Sequence, residues 1–76
     1  GMLRVFPNPA RDRITVEHPV HTTLDRLLLF DGRGTLLHAW NRPSGALELP
    51  QLAPGHYLLR CEGPSLRNTL PLVILP

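Results

Sequence analysis

"LLLFDGRGTLLHAW", residues 27–40, places two leucine-rich runs on either side of a short stretch that contains two glycines. Gly32, Arg33 and Gly34 fit a three-residue hairpin loop, because Gly34 can adopt the left-handed backbone conformation that such a loop needs at its last position. Apolar runs on both sides of a loop of this kind are typical of two antiparallel strands. The segment therefore predicts a β-hairpin.

The length of this loop determines which residues of the two strands face each other. On one face the predicted pairs are Leu29–Leu37 and Leu27–Ala39, and on the other they are Phe30–Leu36, Leu28–His38 and Arg26–Trp40. The first face belongs to the core, whereas the second is also largely apolar and would be left in water by a two-layer sandwich. We therefore take Leu28, Phe30, Leu36 and Trp40 as a candidate contact patch. Either a neighbouring loop or terminus covers this patch, or a partner does.

The rest of the chain has the organisation of a small β protein. Its 76 residues include nine prolines and one cysteine, which disfavours long helices and a disulfide scaffold. Turn residues separate seven candidate strands, at residues 3–6, 13–18, 25–31, 35–40, 46–49, 56–62 and 66–75. We predict an all-β fold, a small Ig-like antiparallel β-sandwich of about seven short strands. Residues 3–76 would form this single domain, and residues 1–2 are interpreted as an expression remnant.

Charge and hydropathy narrow the classes of partner. All eight basic residues are arginines, spread from Arg4 to Arg67 among six acidic residues, and the formal net charge is +2. This distribution forms no basic stripe with interleaved aromatic side chains, so no nucleic acid is expected as a partner. No apolar run approaches the roughly 20 residues of a membrane-spanning helix.

"VFPNPARDRITVE", residues 5–17, places a proline on each side of one asparagine just before an alternating strand. Pro7 and Pro9 lack backbone N–H donors, and each biases the residue before it toward an extended conformation. The side chain of Asn8 can replace part of the lost pairing by hydrogen-bonding nearby backbone. We predict a rigid kink that carries the chain from one sheet to the other. The alternative is a surface turn without a partner.

"GHYLLRCEG", residues 55–63, alternates so that Tyr57, Leu59 and Cys61 share one face of a strand. Cys61 is therefore predicted to be a small buried hydrophobic residue. Gly55 and Tyr57 stand where β-sandwiches fix a corner with a tyrosine whose hydroxyl bonds to upstream backbone.

The nucleophiles and metal ligands in the sequence form no catalytic pattern. Ser44 and Ser65 lie in turns without a nucleophile-elbow motif. Cys61 points inward, and nothing near it in sequence would lower its pKa. His18 and His21 lie in a loop without cysteines or carboxylates that would complete a ligand set. We therefore predict no enzyme activity, no cofactor and no metal site.

Four segments, in this order, resemble a known family, the C-terminal sorting domain of type IX secretion cargo proteins. VFPNPARDRITVE resembles the family's proline-asparagine-proline opening, and LLLFDGRGTLL resembles its hairpin of strand, aspartate and glycine. LELPQLAPGHYLLRCEG is similar to its leucine, glycine and tyrosine segment, and LRNTLPLVIL stands where the family ends in a hydrophobic strand. The resemblance covers residues 4–75.

This resemblance implies a role without catalysis. Domains of the family look like Ig-like sandwiches at the end of larger exported proteins of Gram-negative bacteria. The implied partners are an upstream cargo domain, the outer-membrane type IX translocon and its surface processing peptidase. The implied destination is the cell surface or the extracellular space, reached through the periplasm.

The resemblance also implies roles for the residues that match its motifs. Pro7, Asn8 and Pro9 would hold the kink, Asp31 and Gly34 the hairpin, Gly55 and Tyr57 the corner, and Leu72, Val73 and Ile74 the terminal strand. We expect the export machinery to recognise that strand, because an edge strand presents unpaired backbone groups to which a receptor strand can add. Family members usually carry a basic residue before this strand, whereas Thr69-Leu70-Pro71 stands here. Pro71 removes a ladder donor and predicts that the last strand lies at a sheet edge or is bulged.

Two other hypotheses use the candidate contact patch. In one, the sandwich is a binding or adhesion module of a secreted enzyme, and Phe30, Leu36 and Trp40 grip carbohydrate or protein. In the other, the domain is a spacer or a weak homodimer in which two copies pair through the same face about a two-fold axis.

Overall fold

The computed structural model describes residues 3–76, so the interpretation of residues 1–2 as an expression remnant lies outside the described residues. The strands are β1 (Arg4–Phe6), β2 (Arg13–Glu17), β3 (Arg26–Phe30), β4 (Leu36–Asn41), β5 (Leu47–Glu48), β6 (Gly55–Gly63) and β7 (Leu66–Ile74). The described residues include no helix that is long and apolar enough to cross a membrane. All seven predicted strands are present among the described residues, and most of their bounds differ from the prediction by one or two residues.

The strands form two antiparallel sheets. One has three strands in the order β1-β2-β5, and the other has four in the order β4-β3-β6-β7. This arrangement matches an immunoglobulin-type sandwich in which the sheet built on the C, F and G strands gains a C′ strand. The predicted all-β, Ig-like sandwich is confirmed.

The core lies between the two sheets because apolar side chains alternate along the strands. The largest fully buried side chains are Ile14, Leu27, Leu29, Leu59, Cys61 and Leu72. Side chains of this kind each contribute about 1.5–3 kcal/mol when they leave water. The described residues include no buried polar or charged side chain, so apolar packing accounts for the interior.

The β3–β4 hairpin has the predicted loop, but its register changes after the first pair. The Asp31 N–H donates to the Thr35 carbonyl at 3.0 Å, and Gly34 has a φ of +85°. Phe30 then pairs with Leu36 as predicted. The predicted pairs beyond this point are wrong, because a β-bulge inserts one extra residue of β4 before the ladder resumes.

The observed pairs beyond the bulge are Leu29–His38, Leu28–Ala39, Leu27–Trp40 and Arg26–Asn41. Since a shift of one residue moves every following side chain of a strand to its other face, Trp40 lies on the side predicted for Ala39. The bulge therefore determines which surface the tryptophan occupies.

Candidate functional site: the terminal strand and the proline segment

Strand β7 is the outer strand of the four-stranded sheet, where it pairs only with β6 among the strands. Leu72 and Ile74 face the core and are almost completely buried, whereas Val73 is half-buried. Pro71 pairs with Leu58, and its missing N–H belongs to the side of β7 that faces away from β6. The predicted edge position of a strand that contains proline is confirmed.

The proline segment, residues 7–10, runs along this outer side of β7. Both prolines follow cis peptide bonds, at Phe6–Pro7 and Asn8–Pro9. Strands β1 and β2 pair with each other, so both lie in the three-stranded sheet. The predicted transfer of the chain from one sheet to the other is therefore wrong. The segment instead reaches the edge of the second sheet and returns.

Asn8 binds the backbone of β7 with both ends of its carboxamide. Its Nδ2 donates to the carbonyl of Pro71 at 2.9 Å, and its Oδ1 accepts from the N–H of Val73 at 3.0 Å. These are the hydrogen bonds that a neighbouring strand would make. Asn8 thus replaces lost pairing as predicted, although its partners lie at the other end of the sequence rather than nearby.

Ala10 extends this contact with its own backbone. Its N–H donates to the Val73 carbonyl at 2.8 Å, and its carbonyl accepts from the Leu75 N–H at 2.8 Å, which gives a parallel bridge to Ile74. Arg11 Nη1 then donates to the Pro76 carbonyl at 2.6 Å. The expectation that the terminal strand presents unpaired backbone groups is therefore wrong at this end of β7, because the proline segment occupies them.

Asp31 closes the hairpin loop through its side chain. Its Oδ1 accepts from the N–H of Arg33 and from that of Thr35, both at 2.9 Å. An aspartate at the first position of a turn commonly bonds the backbone that follows it in this way. Together with Gly34 it fixes the loop geometry.

Tyr57 makes the predicted corner hydrogen bond to upstream backbone. Its hydroxyl donates to the carbonyl of Ala53 at 2.5 Å, and Gly55 begins β6 with a φ of +149°. Gly55 and Tyr57 pair with Ile74 and Leu72, so the corner adjoins the terminal strand. Proline segment, corner and terminal strand therefore form one continuous region.

The candidate contact patch is not a single surface. Trp40 pairs with Leu27 and packs against the core, and its ring meets that of His38 edge to face at 4.6 Å. Leu28 lies on the opposite face but is only 6% exposed. The prediction that Trp40 shares a surface with Phe30 and Leu36 is wrong, because the bulge turns it inward.

Two residues of other strands extend the remaining part of the patch. Leu58 pairs with Phe30 on one side and with Pro71 on the other, which gives an apolar row across all four strands, from Leu36 to Pro71. The guanidinium of Arg60 lies 4.9 Å from the centre of the Phe30 ring. Because Tyr57, Leu59 and Cys61 were predicted to share one face of this strand, alternation puts Leu58 on the other face, but nothing in the sequence showed that β6 is the neighbour of β3.

Beside this row, Arg26 and Glu62 form an ion pair, with Nη2 and Oε1 2.6 Å apart. The hydrogen bond from Arg26 holds the pKa of the Glu62 carboxyl below its ordinary value, and the charges of Arg60 and Arg67 act in the same direction. The outer face of the four-stranded sheet therefore has an apolar row beside a cluster with a net positive charge.

The sequence matches the family model for the secretion system C-terminal sorting domain over residues 4–74, which is nearly the whole chain. The chain belongs to this family. No curated protein shows significant similarity to it. As a C-terminal sorting signal for type IX secretion, the sorting domain implies an upstream cargo protein, recognition by the secretion system and export to the cell surface or extracellular space.

Sorting-signal domains of this family are typically non-catalytic. Cys61 is completely buried, and burial raises the pKa of its thiol to about 11. The thiol is therefore protonated at neutral pH and is not the reactive thiolate form. Within residues 3–76, no group of three or more histidine, cysteine, aspartate or glutamate side chains is arranged to hold a metal ion.

Proposed function

We propose that the sorting domain directs its cargo through the periplasm and across the outer membrane by the type IX translocon, with Leu72, Val73 and Ile74 as part of the recognised element. Membership of the sorting-domain family over residues 4–74 is the observation that supports this most directly. The surface processing peptidase of the system would then act on the cargo-bound domain.

The position of β7 supports its role in recognition. It is an outer strand, and its backbone can be extended by a partner strand without breaking the ladder to β6. Val73 and Pro71 belong to its outer side, where the proline segment now lies. Recognition through this strand would therefore involve a surface that is formed by both the proline segment and β7.

The export assay uses residues 3–76 fused behind a reporter that carries a signal peptide. It is expressed in a bacterium with a type IX system and in a matched strain without the translocon. We expect reporter at the surface or in the medium of the first strain only. Reporter retained in the periplasm of both strains would refute the sorting role.

A second pair of fusions tests the terminal strand itself. Deletion of residues 70–76 should leave the reporter in the periplasm, but it also removes the core side chains Leu72 and Ile74. Leu29→Ala is the matched control, because it destabilises the same core from a strand that is remote from the terminus. Export of the control without export of the truncated fusion would assign recognition to the terminal strand, whereas normal export of the truncated fusion would contradict it.

A binding function of the aromatic hairpin face has no comparable support. Phe30 and Trp40 lie on opposite faces of their sheet, so they do not form the common platform that this hypothesis requires.

A further inference from the structure

The outer side of β7 has two halves that differ in their hydrogen bonding. Around Arg67 and Thr69, no backbone hydrogen bond to another segment within residues 3–76 occupies that side. From Pro71 to Leu75 the situation is reversed. The Pro71 carbonyl, both polar groups of Val73 and the Leu75 N–H all have partners in Asn8 or Ala10.

The proline segment, which contains Asn8 and Ala10, buries little apolar surface. Pro7, Asn8 and Pro9 are exposed, and only Ala10 is buried, with 1% of its surface accessible. The two side-chain hydrogen bonds of Asn8 are exposed to solvent, whereas the two backbone bonds of Ala10 belong to a buried residue. A segment with one buried methyl group and partly exposed hydrogen bonds is typical of those that open at a lower free energy than the core. The ladder between β6 and β7, in contrast, runs over the full length of both strands.

We propose that residues 8–10 are a displaceable substitute for a partner strand, and that the outer side of β7 from Pro71 to Leu75 is a strand-addition site. The partner is an extended peptide segment of the export apparatus, which takes over the hydrogen bonds of Asn8 and Ala10. This inference rests on the proposed function.

The present contacts define the kind of segment that fits. It runs parallel to β7, as Ala10 does in its bridge to Ile74. It donates a hydrogen bond to the Pro71 carbonyl but needs no acceptor there, because proline has no N–H. It has a small side chain at the position of Ala10, since that methyl group is almost completely enclosed.

Native-state hydrogen exchange of the full chain tests whether the segment opens by itself. The Ala10 and Leu75 amides should exchange together, at least about tenfold faster than the Leu70 and Leu72 amides, which face β6. Exchange of all four amides at one common rate would overturn the proposal, because the segment would then open only when the whole domain unfolds.

Asn8→Ala is the informative variant, and Asn68→Ala is its matched control on an exposed asparagine of β7. The Leu75 amide bonds to Ala10 and not to Asn8, so it reports movement of the whole segment. We expect Asn8→Ala to accelerate its exchange roughly tenfold, as loss of one or two hydrogen bonds implies. Asn68→Ala should leave it unchanged. Equal rates in the two variants would refute coupled opening.

A peptide probe tests whether the site accepts a segment from outside. Isotope-labelled full-length Asn8→Ala is titrated with the peptide VFPNPARD, which copies residues 5–12. Resonance shifts should be confined to the region around Val73 and Leu75, and a peptide with Ala10→Leu should bind at least about tenfold more weakly. Shifts centred on β4, or none around Val73, would overturn the assignment.

The export assay supplies the link to the secretion apparatus. At limiting translocon, the Asn8→Ala fusion should be exported faster than the Asn68→Ala fusion, because more molecules have an accessible site. Slower export of a folded Asn8→Ala fusion would contradict the proposal. The exchange and peptide experiments do not depend on export, so a failure of the sorting role itself would be distinguishable from a failure of strand addition.

Discussion

The inward position of Trp40 leads to a quantitative prediction for Trp40→Ala. Replacing a fully buried tryptophan by alanine lowers the free energy of unfolding by about 3–5 kcal/mol. Because Trp40 is half-buried and lies on an outer strand, we expect a loss of about 2–3 kcal/mol in the free energy of unfolding. A domain of this size has only about 4–11 kcal/mol in total. With a urea dependence of about 1 kcal/mol per molar, the unfolding midpoint should fall by about 2 M or more.

Urea denaturation followed by far-UV circular dichroism is the suitable assay, because the variant has lost its tryptophan fluorescence. Leu36→Ala is the control on the same strand. Its side chain is 52% exposed on the outer face, so its removal should cost less than about 1 kcal/mol. An unchanged midpoint for Trp40→Ala, together with a large loss for Leu37→Ala, would refute the bulged register and restore the regular one.

Three further substitutions test other features of the fold. Tyr57→Phe removes the hydroxyl that donates to Ala53 and should cost about 1 kcal/mol, seen as a melting temperature about 4–8 °C lower; an unchanged value would deny the corner bond a role in stability. Gly34→Ala should cost about 1 kcal/mol in urea unfolding because of the positive φ, whereas Gly32→Ala, with equal space but no positive φ, should cost much less. Because the folded-state pKa of Glu62 lies below its ordinary value, its ionised form stabilises the fold above that ordinary value, and this contribution is lost as the pH falls through the depressed pKa. Glu62→Gln should therefore flatten the acid side of a curve of urea midpoint against pH, and an identical curve would contradict the assignment.

The strands and the hairpin loop could be predicted because their signals are local. Gly34 and the apolar runs beside it determine a turn within a few residues, and the Tyr57 bond spans only four. The partner of Asn8 is 63 and 65 residues away in sequence, so no local pattern could identify it. The sequence therefore indicated Asn8 and the kind of hydrogen bond that it makes, but not the strand to which it binds.

The bulge in β4 explains why the contact patch was wrong. Leu36 and Leu37 are both leucines, and a hairpin with a regular register satisfies the alternating pattern equally well. The choice depends on whether Trp40 packs over the core beside Leu27, which is a property of the whole sandwich. The alternation of apolar and polar residues therefore predicted the positions of the strands, but it did not predict the face of the sheet on which each side chain of β4 lies.

The single cysteine gives this domain a built-in reporter of its conformational state. Cys61 is completely enclosed, and a protonated thiol in the core reacts with alkylating reagents only when the sandwich opens. A membrane-permeant maleimide added to living cells would therefore label molecules that are open and spare those that are folded, without any engineered tag. Pulse labelling at successive times after synthesis would reveal at which stage of its journey the domain first becomes folded, and whether it stays folded as the cargo leaves the cell.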